Sequence, residues 1–547
     1  MTQTADSLPA APGAEAADDV SPVFAARALG AIVLLAAALL GKQMVCARIA
    51  TTDATGYYLP MARAWAEGSA EKAQNPVIPP LYPMVLGACS GALARADDPY
   101  ELAGRFASAA AALVLVWTVY ALGRQMGSRR AGLVAAGLTA ANRAVIRIGV
   151  AVGPDMIYAA LLAGMALMLL KHRSRPRITL AAGAGAAAAL AALLRGEGLV
   201  LTGAAAVALA VTPIRPGRRW ITERLLPLAV MLAVTAAIWS PRLAYMHRKT
   251  GWAVLDARLL FLVSPETAVQ SLGDETWLLP RQIPAARPVP RPPAPLAQRL
   301  GQAAESLLDV IGYAGWALIL YWLIAGRRLL PGRGGHLVLL AVLTVQLGVL
   351  GLITLGKRYV TIVTGPAQVW AGLGAAALVR HLRRRTTDPQ AVATIERRAL
   401  AAFAGVLAVL SAVSLFSTNH GVRHAELRDL GRLARRRFGP GRVILAQGPQ
   451  LPYYAEGYQA LAPDPRYSPH VDKQALCSLC REHAIALIEL RTRRPFSPWL
   501  LEQVRSRRLG PGALVAERQA GKYTVYLIDA RVLFGAASSA TQGAGSP

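Results

Sequence analysis

Cysteine is scarce: Cys46, Cys89, Cys477 and Cys480 are the only four among 547 residues. That is too few for a disulfide scaffold. Cys477-Ser-Leu-Cys480 has the spacing of half a redox or zinc site, but no second pair accompanies it. A structural or incidental role is expected there, with a local disulfide or a metal contact as the other readings. The eight histidines form no HExxH, and none pairs at helical spacing beside a carboxylate in the predicted outer loops. A divalent cation stays open as a cofactor, but no motif places one. The chain also lacks a GxxxxGK[ST] phosphate loop and a GxSxG elbow, so nothing points to a nucleotide-driven pump or a serine hydrolase. Residues Met1 to Val20 carry four acids and no Lys or Arg. Without a basic n-region this is no ordinary signal peptide, and the apolar run after it is expected to stay as an anchor. Aromatics are only 6% of the chain, while Ala, Leu, Gly and Val dominate, a composition that lets membrane helices pack closely through small residues.

What is abundant is apolar sequence. The chain is 54% hydrophobic with a mean hydropathy of +0.37, too apolar for one large soluble domain, so a polytopic membrane protein is expected. Acids are few, 31 against 59 Lys and Arg, for a formal charge of +28. A charge of that size can mark a nucleic-acid binder, but here the cations sit in short clusters between apolar runs. Topology and lipid headgroups account for that pattern, and nucleic acid is not expected as a partner.

A helix needs about 17–25 apolar residues to cross a bilayer. By that measure the chain offers eleven spans: 24–46, 101–123, 130–148, 155–171, 178–194, 197–213, 224–245, 305–326, 336–355, 359–379 and 399–417. Leu81 to Leu93 is apolar but too short, and reads as an interfacial or re-entrant helix. With a cytoplasmic N-terminus the inner loops hold Arg124, Arg129 and Arg130; Lys171, Arg173, Arg175 and Arg177; Arg215, Arg218, Arg219 and Arg224; Arg327, Arg328 and Arg333; and the arginines from Arg380 to Arg398. Every even-numbered connection is basic, as the positive-inside rule requires. The odd-numbered connections, carrying Asp53, Asp155 and Glu197, then lie outside.

The expected organisation is a disordered cytoplasmic tail at 1–23 and a transmembrane domain at 24–418 with outer loops at 47–100 and 247–304. An extracytoplasmic α/β domain at 419–535 and a disordered tail at 536–547 follow. The loop 247–304 contains Arg287-Pro288-Val289-Pro290-Arg291-Pro292-Pro293, which forbids continuous helix; it either docks over a site or is a structureless insertion. The α/β expectation rests on short apolar runs at 443–446, 484–490 and 523–528 alternating with helical stretches at 426–438 and 498–508.

The candidate chemistry lies on the outer side. Asp53, in Thr52-Asp53-Ala54-Thr55-Gly56-Tyr57-Tyr58, stands where the first span meets water, and a carboxylate there can serve as general base to an attacking hydroxyl. Tyr57 and Tyr58 can stack on a sugar or bond a phosphate. Asp155, after Gly153-Pro154, either assists as a second carboxylate or favours a helix N-terminus. Arg195-Gly196-Glu197-Gly198 lets backbone approach a ligand, or forms a self-contained ion pair at a turn. Lys357-Arg358-Tyr359 puts cations on the outer side against the topology rule, which suits a phosphate or diphosphate; anchoring a helix end by snorkelling is the alternative.

Asp53-Ala-Thr-Gly-Tyr57-Tyr58-Leu-Pro-Met-Ala62, followed by Pro79-Pro80-Leu81-Tyr82-Pro83, resembles the GT-C glycosyltransferases. The likeness is greatest to the bacterial branch related to protein O-mannosyltransferases and to the lipid A aminoarabinose transferase. Gly153-Pro154-Asp155, Arg195-Gly196-Glu197-Gly198 and Arg358-Tyr359 before Pro366 look like further landmarks, spread over about 24–380. The resemblance implies an inverting transfer of a sugar from a polyprenyl phosphate to a lipid, glycan or protein acceptor outside the cytoplasmic membrane. Asp53 would be the base, and Arg358 with Tyr359 would lie near the donor phosphate. Two positions depart from the family: Ala54 stands where mannosyltransferases often carry a second acid, and Ile78 where aminoarabinose transferases carry a lysine. The rival class is a transporter or flippase of a lipid-linked or anionic solute, which calls for mid-span charges and repeated halves. No internal repeat is evident.

Overall fold

A computed structural model describes residues 20–46, 50–51, 53–69, 73–76, 78–210, 220–255, 296–324, 336, 338–344, 357–386, 388–416, 425–461, 471–493, 495–520 and 523–534. Residues 1–19 of the expected tail at 1–23, the expected tail at 536–547, the proline-rich run Arg287 to Pro293, and the inner arginines at 215–219 and 327–333 lie outside the described residues; Pro22 and Val23, expected in the tail, already belong to the first helix.

The first helix, α1 (Pro22–Cys46), leads to a short π-helical turn, Ala54–Tyr58, and then α2 (Leu59–Ala66). After the proline-rich segment come α3 (Leu81–Ser90) and α4 (Pro99–Met126). α4 starts where it does because Asp98 caps it, its carboxylate accepting from the Glu101 amide at 2.9 Å, with Pro99 preset for the first turn. The predicted span 130–148 is in fact two helices, α5 (Arg129–Ala140) and α6 (Arg143–Ile148). Asn142 breaks it by accepting from the amides of Ala144 and Val145 at 2.9 and 3.2 Å, a local bond that competes with helix continuation. Next are α7 (Asp155–Ser174), α8 (Ile178–Leu194), α9 (Leu199–Ala210) and α10 (Leu226–Thr250). The predicted span 305–326 is also divided: α11 (Leu296–Ile311) and α12 (Tyr313–Ile324) meet at Gly312, whose φ of +80° only glycine adopts without strain. The two arms bend by 103°. α13 (Lys357–Arg383) and α14 (Pro389–Phe416) complete the bundle.

Among the described residues six helices are long and apolar enough to cross a membrane: α1, α4, α7, α10, α13 and α14; the bent α11–α12 pair brings the number to seven. The shorter apolar helices are Leu81–Leu93, Ile178–Leu194 and Gly196–Ala210. The chain is therefore a multi-pass α-helical membrane protein. Its helices approach one another through small residues: a Cβ placed on Gly123 would lie 2.7 Å from Gly132 Cα, and one on Gly372 would lie 2.2 Å from the Ala131 carbonyl oxygen.

The two ends of the bundle differ chemically. At one end Arg129 donates to the Val20 carbonyl at 3.1 Å, and Glu396 is held by both Arg130 and Arg383. The predicted inner clusters at 124–130, 171–177 and 380–385 gather there, at the ends of α4, α7 and α13. The opposite end carries Asp53, Asp155 and Arg195. There Lys42, a charge inside the first apolar run, donates to the Leu415 carbonyl, and Gln43 donates to that of Ser414 at 2.9 Å.

A small α/β unit packs on this second end. α15 (Ala425–Phe438), β1 (Val443–Ala446), α16 (Gln450–Tyr454), β2 (Tyr458–Leu461) and α17 (Lys473–Glu482) come first. They are followed by β3 (Leu487–Arg491), α18 (Pro498–Arg505), β4 (Leu514–Ala520), β5 (Tyr523–Asp529) and α19 (Ala530–Leu533). The sheet order is β2-β1-β3-β5-β4, with β1 parallel to β2 and β3, and β5 antiparallel to β3 and β4. α15 and α16 cover one face of the sheet, while α17 and α18 cover the other. Cys480 is buried in the second face and Cys477 is half-buried; both are free thiols. Burial pushes the Cys480 thiol up to about 12.

Candidate active site

The site is built on the turn that enters the bundle after α1. Thr51 organises it: its carbonyl accepts from the Thr55 amide at 3.0 Å and from the Thr55 hydroxyl at 3.1 Å, and its own hydroxyl lies 3.3 Å from the Ala54 amide. The same hydroxyl reaches across to the Val152 carbonyl at 3.3 Å. That bond joins the Asp53 turn to the loop that ends in Gly153-Pro154-Asp155. Ser108 of α4 secures this loop from behind, its hydroxyl lying 2.8 Å from the Ala151 carbonyl and 3.3 Å from that of Gly153.

Asp53 is half-buried and stands at the head of the π-helix in helical conformation, φ −65° and ψ −34°, yet its carboxylate makes no capping bond to that helix. Capping, the plain alternative for an acid at a helix end, is not its use. π-Helical turns are uncommon and concentrate at functional sites. Tyr58 turns into the core, its ring meeting Tyr82 edge-on at 5.1 Å and 82°. Tyr57 is half-buried against the same core.

Asp155 opens α7 and is 2% exposed. Arg195, at the end of α8, pairs with it directly and reaches Glu197 with its other nitrogen at 3.4 Å. One guanidinium thus binds two acids from different helix ends, so Arg195–Glu197 is not self-contained and Asp155 is more than a helix-end charge. The cluster is buried, and the N-terminus of α7 also favours the Asp155 carboxylate. Burying such a group is costly unless its partners stay in place.

The proline-rich segment before α3 is tied down by a residue the sequence did not bring forward. Arg242, next to Pro241 in α10 and 4% exposed, donates through Nη2 to the carbonyls of Asn75 and Pro76, both at 2.9 Å, and through Nε to that of Leu255 at 3.2 Å. Asn75 in turn accepts from the Ile78 amide at 3.1 Å, a local side-chain bond to the amide three residues on that shapes the approach to Pro79-Pro80. A second unforeseen pair is Glu101 with Arg105, buried in the first turns of α4. Its signal was present: two opposite charges at i, i+4 just inside a span otherwise free of charge.

Lys357, Arg358 and Tyr359 form the first turn of α13; their side chains lie outside the described residues. The structure therefore brings Asp53, Asp155, Arg195 and Glu197 to one end of the bundle and places Tyr58 in the core beside them. Among the described residues no group of three or more His, Cys, Asp or Glu side chains gathers to hold a metal.

The helical bundle with its small α/β unit has counterparts among known structures. ArnT from Cupriavidus metallidurans superposes with a TM-score of 0.58 at 15% identity, over 92% of this chain and 98% of that one. The chain has the GT-C glycosyltransferase fold. The same GT-C arrangement is found in the Archaeoglobus fulgidus oligosaccharyltransferase, with a TM-score of 0.58 at 14% identity, over 84% of this chain and 67% of that one. Arabinofuranosyltransferase AftD from Mycobacteria matches with a TM-score of 0.51 at 17% identity, over 94% of this chain and 42% of that one. Residues 79–245, a stretch of the GT-C bundle, match the family described as dolichyl-phosphate-mannose-protein mannosyltransferase. Among curated proteins no sequence matches the chain. Two of the structural relatives hold a lipid phosphate: ArnT is bound to undecaprenyl phosphate, and the archaeal oligosaccharyltransferase AglB is in complex with dolichol-phosphate and an inhibitory peptide.

Proposed function

We propose that the chain is a membrane glycosyltransferase that moves a sugar from a polyprenyl-phosphate donor to a hydroxyl of a cell-envelope lipid, glycan or protein, on the outer face of the cytoplasmic membrane. The observation that carries this reading is Asp53: a half-buried acid at the head of a π-helical turn, beside the Asp155–Arg195–Glu197 cluster, in a GT-C fold. Relatives of that fold bind polyprenyl phosphates.

In the proposed step the acceptor hydroxyl gives its proton to Asp53 while its oxygen attacks the anomeric carbon. The bond from that carbon to the phosphate oxygen breaks, and the polyprenyl phosphate leaves with the electron pair, so the configuration inverts. The leaving phosphate gains negative charge as the bond breaks, and cations fixed in advance lower the barrier. Arg195 already holds two carboxylates, which assigns that task chiefly to Lys357 and Arg358, with Tyr359 beside them. By the same pairing Asp155 is a poor second base and works by holding Arg195. The basic clusters at the end remote from Asp53 support a cytoplasmic N-terminus and an outer placement of the α/β unit.

The test is transfer by purified protein in liposomes, using polyprenyl-phosphate mannose and polyprenyl-phosphate arabinose as donors and an envelope extract as acceptor. Donor-dependent formation of a glycosidic product supports the reading. Movement of the lipid-linked sugar across the bilayer with no glycosidic bond formed would instead identify a flippase.

A further inference from the structure

We propose that Tyr454 of the α/β unit is a positioning residue for the Asp53 turn, so that the site is complete only when this unit is docked on the bundle. The Tyr454 hydroxyl donates to Glu101 Oε2 at 3.0 Å and accepts from the Ala50 amide at 2.9 Å. Glu101 is itself fixed, its other oxygen being held by Arg105 four residues on. With its proton committed to Glu101, the phenol turns a lone pair toward Ala50, the residue before Thr51. Thr51 then holds Val152, Ala54 and Thr55, and the turn that follows carries Asp53. The chain of bonds thus runs from the α/β unit through Ala50 into the turn.

Three further observations agree with this assignment. Pro449, immediately before α16, presses on the turn itself: a Cβ on Gly56 would meet its Cγ at 3.3 Å. Arg428 of α15 lies over the Tyr454 ring at 5.5 Å and fixes its plane. Burial also keeps the Tyr454 phenol neutral well above the usual range, so its proton stays available to Glu101.

The contacts that merely dock the unit are separate. Tyr453 donates to Asp98 Oδ2 at 2.8 Å, and Arg432 meets Asp97 at 3.1 Å. Neither polar contact is made to the turn, and Phe keeps the Tyr453 ring that meets Tyr454 edge-on at 5.2 Å, so Tyr453→Phe removes a docking bond alone and is the proper control.

The direct test is amide hydrogen exchange on the full-length protein in detergent, following peptides that cover Ala50 to Tyr58. Tyr454→Phe is expected to speed exchange there about tenfold, the effect of losing the bond from the Ala50 amide. Peptides from β3 and β5 should be unchanged, and Tyr453→Phe should leave the turn as in wild type. Pro449→Ala, which removes no polar group, should loosen the same peptides to a smaller degree and serves if Tyr454→Phe misfolds. Unchanged exchange in both variants at the turn, or an equal rise with Tyr453→Phe, would overturn the proposal.

The kinetic arm rests on the function proposed above. Tyr454→Phe should lower kcat and leave KM for the donor unchanged, and an unaltered kcat despite a loosened turn would also overturn the proposal. If wild type transfers no sugar at all, the proposed function fails while the exchange result still decides the positioning claim.

Discussion

Asp53 differs from the acids beside it in its place in the local structure. Asp155 and Glu197 share Arg195, whereas Asp53 heads a helix that it does not cap. Asp53→Asn keeps the shape and removes the base, so the folded variant should lose transfer by a factor of about 10²–10⁴. Arg195→Met removes a buried guanidinium that two acids bind, and should cost about 3–5 kcal/mol of stability. Thermal unfolding in detergent checks this; a melting profile like that of wild type would contradict the buried cluster. Cys480 supplies a pH test. Its buried thiol should alkylate more slowly than Cys477 at pH 8, because it remains protonated up to about 12. The unfolded thiol ionises at about 9, so this group's contribution to folding is intact below pH 9 and is lost as pH climbs from there toward 12. Equal alkylation rates for the two cysteines would show that the α17 face is open.

At the scale of elements, packing depends on places where no side chain fits. Gly372→Leu would force atoms against the Ala131 carbonyl and separate α13 from α5, so a clear fall in yield of folded protein and in melting temperature is expected. Gly164→Leu, where a Cβ meets nothing, should be nearly neutral. Size-exclusion profiles of the two variants make the comparison. Helices and strands were legible where their signals are local. The runs 443–446 and 523–528 became β1 and β5 almost residue for residue. β4 escaped notice because Leu514–Ala520 is a polar edge strand, and β2 because Tyr458–Leu461, unlike the equally short β1, has no β-branched residue. The break at Asn142 was readable in hindsight, since an Asn followed by an apolar helical run is a capping signal. Hydropathy averages over such a residue and reports one span.

At the scale of the molecule, the order of acids and basic loops along the chain was enough to foresee which residues share an end. It was not enough to foresee which of them touch. Asp155 and Arg195 are 40 residues apart, and Tyr454 and Glu101 are 353 apart; no spacing rule connects such pairs, which meet only because the helices close into a bundle and the α/β unit folds back onto it. The Arg242 hold on Asn75 and Pro76 is of the same kind. The site therefore belongs to the assembled whole: α1 delivers Asp53, α7 and α8 deliver the charged cluster, and the α/β unit fixes the turn between them. We propose that this assembly transfers sugar with Asp53 as base. The most direct test compares wild type and folded Asp53→Asn in liposomes supplied with a polyprenyl-phosphate sugar and acceptor. Product from wild type and almost none from Asp53→Asn is the expected result; equal product from both would contradict it.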